Sequence, residues 1–359
     1  MARTVACVLS PGLIGSGSRI RFTTERAPAV RAFVLESARG PCGLRLRDLP
    51  DPVPDRTEAV VQIQATALNR ADLLQTLGKY PGPPMQHEIP GLELAGVVTE
   101  CGTETSLVRP GDRVCGLVAG GAFAERIALP ERLLMKAPEE LSIEEAGALP
   151  ETALTAYDAL VRLAKIEPGE RVLVHAGASG VGTFAIQIAR EYRCQVTATC
   201  SPAKRSAVLK LGADVSVDTR DDGWIDALEE HRPGGFDVIL DVLGGSTLPG
   251  DLRLAATRAR IVFLGLLAGQ AGELDLARLM TRRIRLIGSV LRSRPLEEKI
   301  DLVRHFERTM MPSVAAGRLR PVIDSSWRFE DLPRALEKLA RNETTGKVVV
   351  RVQESAGPH

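Results

Sequence analysis

A glycine-rich loop that follows a short apolar run is the strongest chemical signal in the sequence. The run at residues 171–174 leads into HAGASGVG at residues 175–182, and a helical pattern follows. Backbone N–H groups at the start of a helix suit a pyrophosphate, and small side chains let it approach. We therefore expect a dinucleotide site, with a purely structural turn as the alternative. The residues expected to lie against the pyrophosphate are Gly177, Ser179, Gly180, Val181 and Gly182.

Ser179 in this loop is not expected to be a nucleophile. It replaces the second glycine of the strict G-x-G-x-x-G spacing, whereas the strained turn of esterases requires G-x-S-x-G. Val181 stands where the last glycine of the esterase motif would be. The loop therefore indicates cofactor binding and not acyl transfer.

The end of the next apolar run distinguishes between the two nicotinamide dinucleotides. A site for NADH usually places Asp or Glu about 20 residues after the glycines, where the carboxylate binds the ribose hydroxyls. This sequence has no acid there, and instead has Ser201, Lys204 and Arg205. A hydroxyl and two cations suit a 2′-phosphate, so we expect NADPH. A solvated, basic start of a helix is the alternative.

The elements that must position this loop follow two patterns. Short strand-like runs separated by prolines occupy residues 30–140, which predicts a β-barrel-like region. From residue 171 to about residue 290, compact apolar runs alternate with helical patterns, which predicts a parallel, doubly wound sheet. A long helix at residues 296–316 and a final strand at residues 347–352 follow. The expected fold class is therefore α/β.

The N-terminal residues 1–29 differ from the remainder of the chain. Residues 1–24 contain three arginines and no acid, and glycines and prolines interrupt any helix or strand. We expect this segment to be a flexible extension, or a start upstream of the true beginning. An Arg- and Ser-containing transit peptide is the alternative.

Composition argues against several classes of partner. The 46 basic and 45 acidic residues give a net charge of +1, and aromatic residues are 4% of the chain, so we expect no nucleic-acid partner. The longest apolar stretch, residues 261–267, is far shorter than the ~18–20 residues of a membrane span, so we expect no membrane partner. The six cysteines are scattered without a CxxC pair, which predicts reduced thiols and a cytoplasmic location.

With these residues placed, the sequence resembles the zinc-independent quinone oxidoreductases of the medium-chain dehydrogenase/reductase superfamily. The likeness is greatest to the tumour-suppressor-inducible and zeta-crystallin-like branches, and it covers about residues 30–352. Six motifs that occur in order support it: ALNRADL (67–73), IPGLELAG (89–96), VRPGDRV (108–114), PETALTA (150–156), HAGASGVG (175–182) and GSVLRSR (288–294).

The resemblance implies a GroES-like β-barrel catalytic domain with an inserted Rossmann sheet. The catalytic domain would comprise residues 30–149 and a returning C-terminal segment at residues 291–352, and residues 353–359 would be a tail. The Rossmann NADP-binding domain would comprise residues 150–290, with the cofactor in the cleft between the two domains. The family also forms homodimers by joining the last Rossmann strands, here near residues 261–265 and 284–290.

The resemblance also implies that no metal is bound. The positions that match the catalytic zinc ligands of related alcohol dehydrogenases carry Asn69 and Leu92, neither of which is a good zinc ligand. The four-cysteine lobe of structural zinc is missing, and the five histidines are isolated in the sequence. Without this Lewis acid, we expect hydride transfer from NADPH to an acceptor that is already electrophilic, either a quinone or an α,β-unsaturated carbonyl.

Carried over residue by residue, the family pattern assigns catalytic roles to Asn69 and Tyr80. Asn69 would donate an amide hydrogen bond to the reduced oxygen, while Tyr80 would stack on the acceptor or donate its proton. A loop aromatic packed on the barrel is the alternative for Tyr80. Thr219 stands where some relatives hold the 2′-phosphate with a tyrosine, and Arg220 beside it is placed to compensate. The other cofactor contacts that the family implies are Thr155, Leu243, Leu264, Gly265, Leu266, Leu291, Ser293 and Lys347.

Two other functions remain open at this stage. The substrate of the same reductase chemistry would be an enoyl thioester if the cleft had room and cations for a long carrier. A non-enzymatic protein that binds or senses NADPH is the second alternative, and RNA binding would require a less even charge balance than this chain has.

Overall fold

The computed structural model describes residues 29–82, 86–221 and 223–353. The predicted N-terminal extension lies outside this part of the chain except for Ala29, and so does most of the predicted tail. The predicted α/β fold class is confirmed, because one sheet is built mainly from antiparallel pairs and a second from parallel pairs with helices between its strands.

The N-terminal part of the chain forms most of a seven-stranded sheet. Prolines and glycines separate its short strands, as the sequence predicts. A separate antiparallel hairpin, β1 with β2, precedes the sheet. The elements are β1 (Ala29–Leu35), β2 (Leu44–Pro50), β3 (Glu58–Leu68), α1 (Arg70–Thr76), β4 (Glu93–Cys101), β5 (Arg113–Leu117), β6 (Arg126–Pro130), β7 (Leu134–Lys136) and α2 (Ile143–Gly147).

The middle of the chain forms a six-stranded sheet in which every strand pair is parallel. The elements are α3 (Pro150–Tyr157), β8 (Arg171–Val174), α4 (Gly180–Glu191), β9 (Gln195–Thr199), α5 (Arg205–Lys210), β10 (Val215–Val217), α6 (Trp224–His231), β11 (Phe236–Asp241), α7 (Leu248–Leu254), β12 (Ala255–Phe263), α8 (Leu276–Arg282) and β13 (Arg285–Gly288). The strand order β10-β9-β8-β11-β12-β13 is that of a dinucleotide-binding sheet.

The chain then returns to the first sheet. Its last elements are α9 (Leu296–Ala315), β14 (Ile323–Arg328), α10 (Leu332–Ala340) and β15 (Lys347–Arg351). Strand β15 lies between β14 and β3, so the seven-stranded sheet reads β14-β15-β3-β4-β5-β7, with β6 on the other part of β3. The parallel sheet is therefore inserted between two parts of the antiparallel domain.

The apolar core is continuous from the antiparallel sheet to the parallel sheet. A single apolar cluster includes Ile63 and Leu94 of the antiparallel sheet, Leu154 of α3, and Val174 and Phe184 of the parallel sheet. Helix α3 packs against both α4 and α9, so it joins the two domains along the cleft. This packing fixes the position of the loop before α4 relative to the antiparallel sheet.

Candidate active site

The glycine loop lies between β8 and α4, as the sequence predicts. Ser179 is the N-cap residue of α4, and its Oγ accepts a hydrogen bond from the Gly182 N–H at 3.0 Å. The Val181 N–H makes no hydrogen bond to any described residue, so it remains available to an anion at the helix start. A Cβ on residue 182 would lie 2.4 Å from the Ala176 carbonyl oxygen, so only glycine lets the helix pack this closely on the loop.

Strand β15 contacts this loop from the other domain. The Gly346 N–H donates to the Ala178 carbonyl at 2.8 Å. The Lys347 side chain passes beside Gly180, where a Cβ would lie 2.7 Å from its Cδ. A glycine at position 180 therefore makes room for the lysine stem.

Beneath the loop, Lys347 forms the centre of a buried polar cluster. Its Nζ donates to Glu93 Oε1 at 2.7 Å, to Asn69 Oδ1 at 2.6 Å and to the Leu68 carbonyl at 2.9 Å. The Lys347 and Glu93 side chains are almost completely buried. An ammonium has three N–H donors, and these three acceptors match them, so Lys347 is fixed within the protein.

Asn69 is also fully engaged in this cluster. Its Nδ2 donates to Glu93 Oε1 at 2.9 Å and to the Ala67 carbonyl at 3.2 Å, which uses both amide hydrogens. The second oxygen of Glu93 accepts the backbone N–H of Glu151 at 2.9 Å. Asn69 therefore has no free donor. The resemblance, in contrast, implies that Asn69 donates a hydrogen bond to the reduced oxygen.

Asp72 holds the start of α1 in place. Its carboxylate accepts the Asn69 N–H at 2.7 Å and the Gly91 N–H at 3.1 Å. Burial raises the pKa of this carboxyl to about 7, although the hydrogen bond from Asn69 and the Lys347 charge oppose the rise. Asp72 therefore supports the backbone that carries Asn69.

Tyr80 and Arg292 form the outer wall of the site. Tyr80 is half-buried, and its hydroxyl makes no hydrogen bond to any described residue. The Arg292 guanidinium carbon lies 5.2 Å from the centre of the Tyr80 ring. Arg292 also donates to the Ala119 carbonyl at 2.7 Å and to Gln75 Oε1 at 2.7 Å, so it fixes the tyrosine ring against the loop that follows β13.

Glu151 lies between this wall and the buried cluster. It belongs to the first turn of α3, one turn before Thr155, and both residues are half-buried. Burial and then the charge of Glu93 raise the pKa of the Glu151 carboxyl to about 8, against the opposing effect of Lys347. Its carboxyl makes no hydrogen bond to any described residue. A mostly protonated carboxyl of this kind can donate a hydrogen bond at neutral pH.

The residues expected at the 2′-phosphate lie at the end of β9. Lys204 donates to the carbonyls of Asn342 and Thr344 at 2.9 Å and 2.7 Å, which connects it to the loop before β15. Neither acceptor is a carboxylate, so Lys204 forms no ion pair with either of them. Arg205 is exposed, and Ser201 is half-buried. No acid stands between Thr199 and Lys204, which leaves this corner positive.

Arg220, which the sequence places to compensate at the 2′-phosphate, has a partner in its own segment. Arg220 is exposed and forms a two-point ion pair with Asp218, with Nη2 at 2.9 Å from Oδ2. Thr219 beside it is half-buried. The guanidinium is therefore already matched by a carboxylate of its own segment.

The remaining residues that are expected to contact the cofactor follow the carboxyl ends of strands β11, β12 and β13. Asp241 at the end of β11 accepts the N–H groups of Leu243 at 2.5 Å and Gly244 at 3.0 Å, and its carbonyl accepts that of Leu264 at 2.7 Å. Leu291 is buried, whereas Leu266 and Ser293 are exposed. Ligands of such sheets bind at this edge, so Leu243, Leu264, Gly265 and Leu266 share the edge with the glycine loop.

His175 is not isolated in the fold, in contrast to its appearance in the sequence. Its Nε2 lies 2.8 Å from Asp251 Oδ1, and its Nδ1 lies 3.3 Å from Thr199 Oγ1. Burial lowers and the Asp251 charge raises the pKa of His175, and the net direction is upward. Burial raises the pKa of Asp251 to about 6. This pair supports the strand that leads into the glycine loop.

Sequence reasoning missed four residues of this region, which are Glu93, Glu151, Arg292 and Lys299. Glu93 lies in IPGLELAG, Glu151 in PETALTA and Arg292 in GSVLRSR, so three of the four lie in motifs that signal the family. The hydrogen bonds of Glu93 and Arg292 have no local signal, because their partners lie in distant parts of the chain.

Two further observations concern metals and membranes. One of the positions that match zinc ligands in related dehydrogenases carries Leu92, which is buried. The described residues contain no group of three or more His, Cys, Asp or Glu side chains placed to hold a metal ion. Among the helices of the described part of the chain, none is long and apolar enough to cross a membrane.

Comparison with known proteins gives consistent matches along most of the chain. Residues 55–139 match the family model described as alcohol dehydrogenase GroES-like domain, and residues 180–307 match the one described as zinc-binding dehydrogenase. The quinone oxidoreductase of Lama guanicoe is 31% identical over 327 residues, which cover 89% of this chain and 97% of that protein.

Two other similar proteins carry different descriptions. The synaptic vesicle membrane protein VAT-1 homolog of Homo sapiens is 30% identical over 338 residues, covering 89% of this chain and 86% of that protein. The solved structure of JamJ enoyl reductase in its apo form superposes with a TM-score of 0.81 at 26% identity, covering 91% of this chain and 100% of that one.

Proposed function

Because this chain belongs to the quinone oxidoreductase family of the medium-chain dehydrogenase/reductase superfamily, we propose that it reduces quinones or α,β-unsaturated carbonyls with NADPH and without zinc. The main support is the position where related dehydrogenases hold their metal. There Asn69 is bonded to the buried Lys347 ammonium, and Leu92 is an apolar side chain. Neither an asparagine nor a leucine side chain is an ordinary zinc ligand in proteins.

The cofactor site that we propose fits the donors at the cleft. The start of α4, with Gly177, Ser179, Gly180, Val181 and Gly182, would hold the pyrophosphate. The positive corner of Ser201, Lys204 and Arg205 would hold the 2′-phosphate, with Thr219 and Leu243 toward the adenosine. When bound, NADPH supplies a hydride from its nicotinamide ring. The residues that would orient that ring are Thr155, Leu264, Gly265, Leu266, Leu291 and Ser293.

The acceptor would lie against the wall formed by Tyr80. The unpaired hydroxyl of Tyr80 would donate to the acceptor oxygen, on which negative charge develops during reduction. The neutral carboxyl of Glu151 would be a second donor. A protonated acid suits this position, since a carboxylate there would oppose the developing charge.

We assign Asn69 and Lys347 positioning roles. Both amide hydrogens of Asn69 and all three N–H donors of Lys347 are used within the protein. Through Glu93, this cluster holds the backbone N–H of Glu151 and therefore the first turn of α3. Asn69 and Lys347 would act on the reaction by fixing Glu151 and the glycine loop.

An enoyl-thioester reductase is the second candidate. The likeness to JamJ enoyl reductase favours it, and the Arg292 guanidinium beside Tyr80 is a cation at the proposed acceptor site. Comparison of kcat/KM for a small quinone and for an enoyl-CoA of medium length distinguishes the two substrates. Binding of NADPH with no turnover of either would favour a non-enzymatic role.

We further propose a homodimer formed through the edge strand β13. Within the described residues β13 pairs only with β12, and apolar side chains around it are exposed, among them Met280, Leu286 and Val290. An unpaired strand edge with an apolar surround is suited to pairing with a second copy. The five cysteines of the described residues are free thiols, which supports the proposed cytoplasmic location.

Stopped-flow measurement of NADPH absorbance with a small panel of quinones and enones tests the proposed reaction. We expect rapid loss of absorbance with at least one acceptor, unchanged when a chelator removes trace metals. Absence of turnover with every quinone and enone would contradict the proposal, and loss of activity with the chelator would contradict its zinc-independent form.

A further inference from the structure

A chain of hydrogen bonds connects the glycine loop to the turn that follows β11. It begins at Thr199, the last residue of β9, whose Oγ1 accepts the Ala176 N–H at 3.0 Å and whose carbonyl accepts the Gly177 N–H at 2.8 Å. Ala176 has a φ of 50°, in the left-handed region that a residue with a Cβ rarely adopts. Thr199 therefore holds two successive N–H groups of the loop in a conformation that is unfavourable without such support.

His175 continues the chain from Thr199 to α7. Its Nδ1 lies 3.3 Å from Thr199 Oγ1 and its Nε2 lies 2.8 Å from Oδ1 of Asp251, and all three side chains are buried. Among the described residues, Nδ1 is the only acceptor for the hydrogen of the Thr199 hydroxyl. We therefore assign the ring hydrogen to Nε2, so that Thr199 donates to Nδ1 and the Nε2–H donates to Asp251.

Asp251 joins this chain to a second turn at the same edge of the parallel sheet. The Asp251 N–H donates to the Thr247 carbonyl at 2.9 Å, and Thr247 Oγ1 lies 2.7 Å from Asp241 Oδ2. Asp241 Oδ1 in turn accepts the N–H groups of Leu243 and Gly244. One network therefore holds both the loop after β8 and the turn after β11. Both follow the carboxyl ends of their strands, where ligands of parallel sheets bind.

The order of hydroxyl, imidazole and carboxylate is that of a catalytic triad, but burial rules out that chemistry here. Thr199 is 2% exposed, and His175 and Asp251 are both 0% exposed. The hydroxyl oxygen of Thr199 already accepts the Ala176 N–H. The three residues can therefore act on a ligand only through the backbone that they hold.

We propose that Thr199, His175 and Asp251 are positioning residues for the nicotinamide dinucleotide, because they hold the glycine loop and the turn after β11 in the conformations that bind it. This inference rests on the proposed function, whose cofactor is that dinucleotide. A loop that is ordered before binding loses less conformational freedom on binding, so preorganisation raises affinity. The pyrophosphate is common to NADPH and NADH. The network should therefore raise the affinities for both by the same factor, in contrast to Lys204.

Variants of Thr199 test the first link of the network. Thr199→Val keeps the branched shape and removes the hydroxyl, so we expect the Kd values of NADPH and NADH each to rise about threefold to tenfold, the range for one hydrogen bond. Thr199→Ser keeps the hydroxyl and should restore both values toward those of the wild type. Titration of nicotinamide fluorescence on the full chain measures the two constants, and thermal unfolding shows that each variant is folded.

His175→Asn tests the second link of the network. The asparagine oxygen can accept the Thr199 hydroxyl in place of Nδ1, whereas the hydrogen bond to Asp251 is lost. We expect both Kd values to rise about threefold to tenfold, because the turn after β11 is then no longer tied to the glycine loop. Unchanged affinities in a folded His175→Asn protein would overturn the role of Asp251.

The matched controls carry the same two changes at another place. His305 and Thr309 of α9 both bond the Tyr157 hydroxyl, at 2.6 Å and 2.8 Å, and among the described residues neither has a hydrogen bond to the glycine loop. We expect His305→Asn and Thr309→Val to leave both Kd values unchanged. A rise in these controls equal to that in the Thr199 and His175 variants would overturn the inference, because any loss of stability would then be enough to weaken binding.

Steady-state kinetics separates a positioning role from a catalytic one. In Thr199→Val the KM for NADPH should rise by the same factor as its Kd, while kcat at saturating NADPH stays unchanged. A folded Thr199→Val protein with wild-type affinities would overturn the inference, even if quinones are reduced normally. A loss confined to NADPH would also overturn it, because Thr199 would then act on the 2′-phosphate. Lower affinities for both dinucleotides in a protein that reduces no quinone or enone would support the network and contradict the proposed reaction.

Discussion

The ammonium of Lys347 lies 2.7 Å from Oε1 of Glu93, and both side chains are buried where the two domains meet. Glu93 begins β4 and Lys347 begins β15, so the pair joins two strands that flank β3 without pairing with each other. The same ammonium donates a hydrogen bond to Oδ1 of Asn69, and the same carboxylate accepts one from the backbone N–H of Glu151 in the first turn of α3. One ion pair therefore connects the start of α1, the cofactor loop and the proposed acceptor site.

Replacement of one residue of the Lys347–Glu93 pair should show how much leaving the other charge buried lowers the free energy of unfolding. We expect Lys347→Met to lower the free energy of unfolding by about 3–5 kcal/mol, the range for breaking a buried ion pair. Urea denaturation at pH 7 measures the change. The matched control is Lys338→Met, because Lys338 pairs with Asp324 at 2.6 Å but is partly exposed; its loss should be about 1 kcal/mol or less. Equal losses in the two variants would contradict the central role of the buried pair.

The choice of cofactor should depend on Lys204. In Lys204→Ala we expect NADPH affinity to fall about tenfold to a hundredfold while NADH affinity changes little, since only NADPH carries the 2′-phosphate. Titration of nicotinamide fluorescence measures both constants. Arg220→Ala is the control, because Arg220 is already paired with Asp218. Unchanged NADPH affinity in Lys204→Ala would refute our interpretation of the end of β9.

The rate of reduction should fall as the pH rises through about 8. Burial and Glu93 raise the pKa of Glu151 to about 8, so this carboxyl is a donor below that pH and a carboxylate above it. The carboxylate would oppose the charge that develops on the acceptor, so kcat/KM should be highest in the protonated form. Glu151→Gln, which stays neutral at every pH, should lack this decline.

A control for the pH profile is Glu144→Gln on α2. Glu144 pairs with Arg351 at 3.6 Å on another part of the molecule, so its removal should leave the profile unchanged. The measurement uses a quinone without ionisable groups between pH 6 and pH 10. A profile that is the same in the wild type and in Glu151→Gln would exclude Glu151 as the titrating group.

The proposed dimer should dissociate when a charge is placed on the edge strand. Leu286 on β13 and Leu209 on α5 are both 37% exposed, which makes them a matched pair. Leu286→Lys should convert the dimer to a monomer, whereas Leu209→Lys should not. Light scattering after size-exclusion chromatography measures the mass of each. A wild-type monomer would contradict the proposal directly.

Much of the fold follows from local patterns in the sequence. The glycine loop, the alternation of strands and helices, and the proline-separated strands are each governed by neighbours along the chain. The boundary at Ala255 shows where such patterns fail. The sequence predicts helix over residues 247–256 because alanine favours helices, but α7 ends at Leu254 and Ala255 begins β12 by pairing with Phe236.

The chemistry of the site was less accessible to prediction. Asn69 and Lys347 were identified from family motifs, but the hydrogen bonds that use all their donors connect residues far apart in sequence. Lys299 shows no pattern of its own, since a lysine on an amphipathic helix usually faces solvent. The burial of this residue depends on how α9 packs against the rest of the molecule, and no local signal reports that packing.

The position of β15 between β14 and β3 has a consequence for biosynthesis. The ribosome must synthesise the chain through Arg351 before β3 gains this neighbour, although the whole parallel sheet has by then left the exit tunnel. A nascent chain therefore passes through a stage with a complete nucleotide-binding sheet and an open strand edge in the other domain. Open edges of this kind promote aggregation, so chaperone demand should peak late in translation.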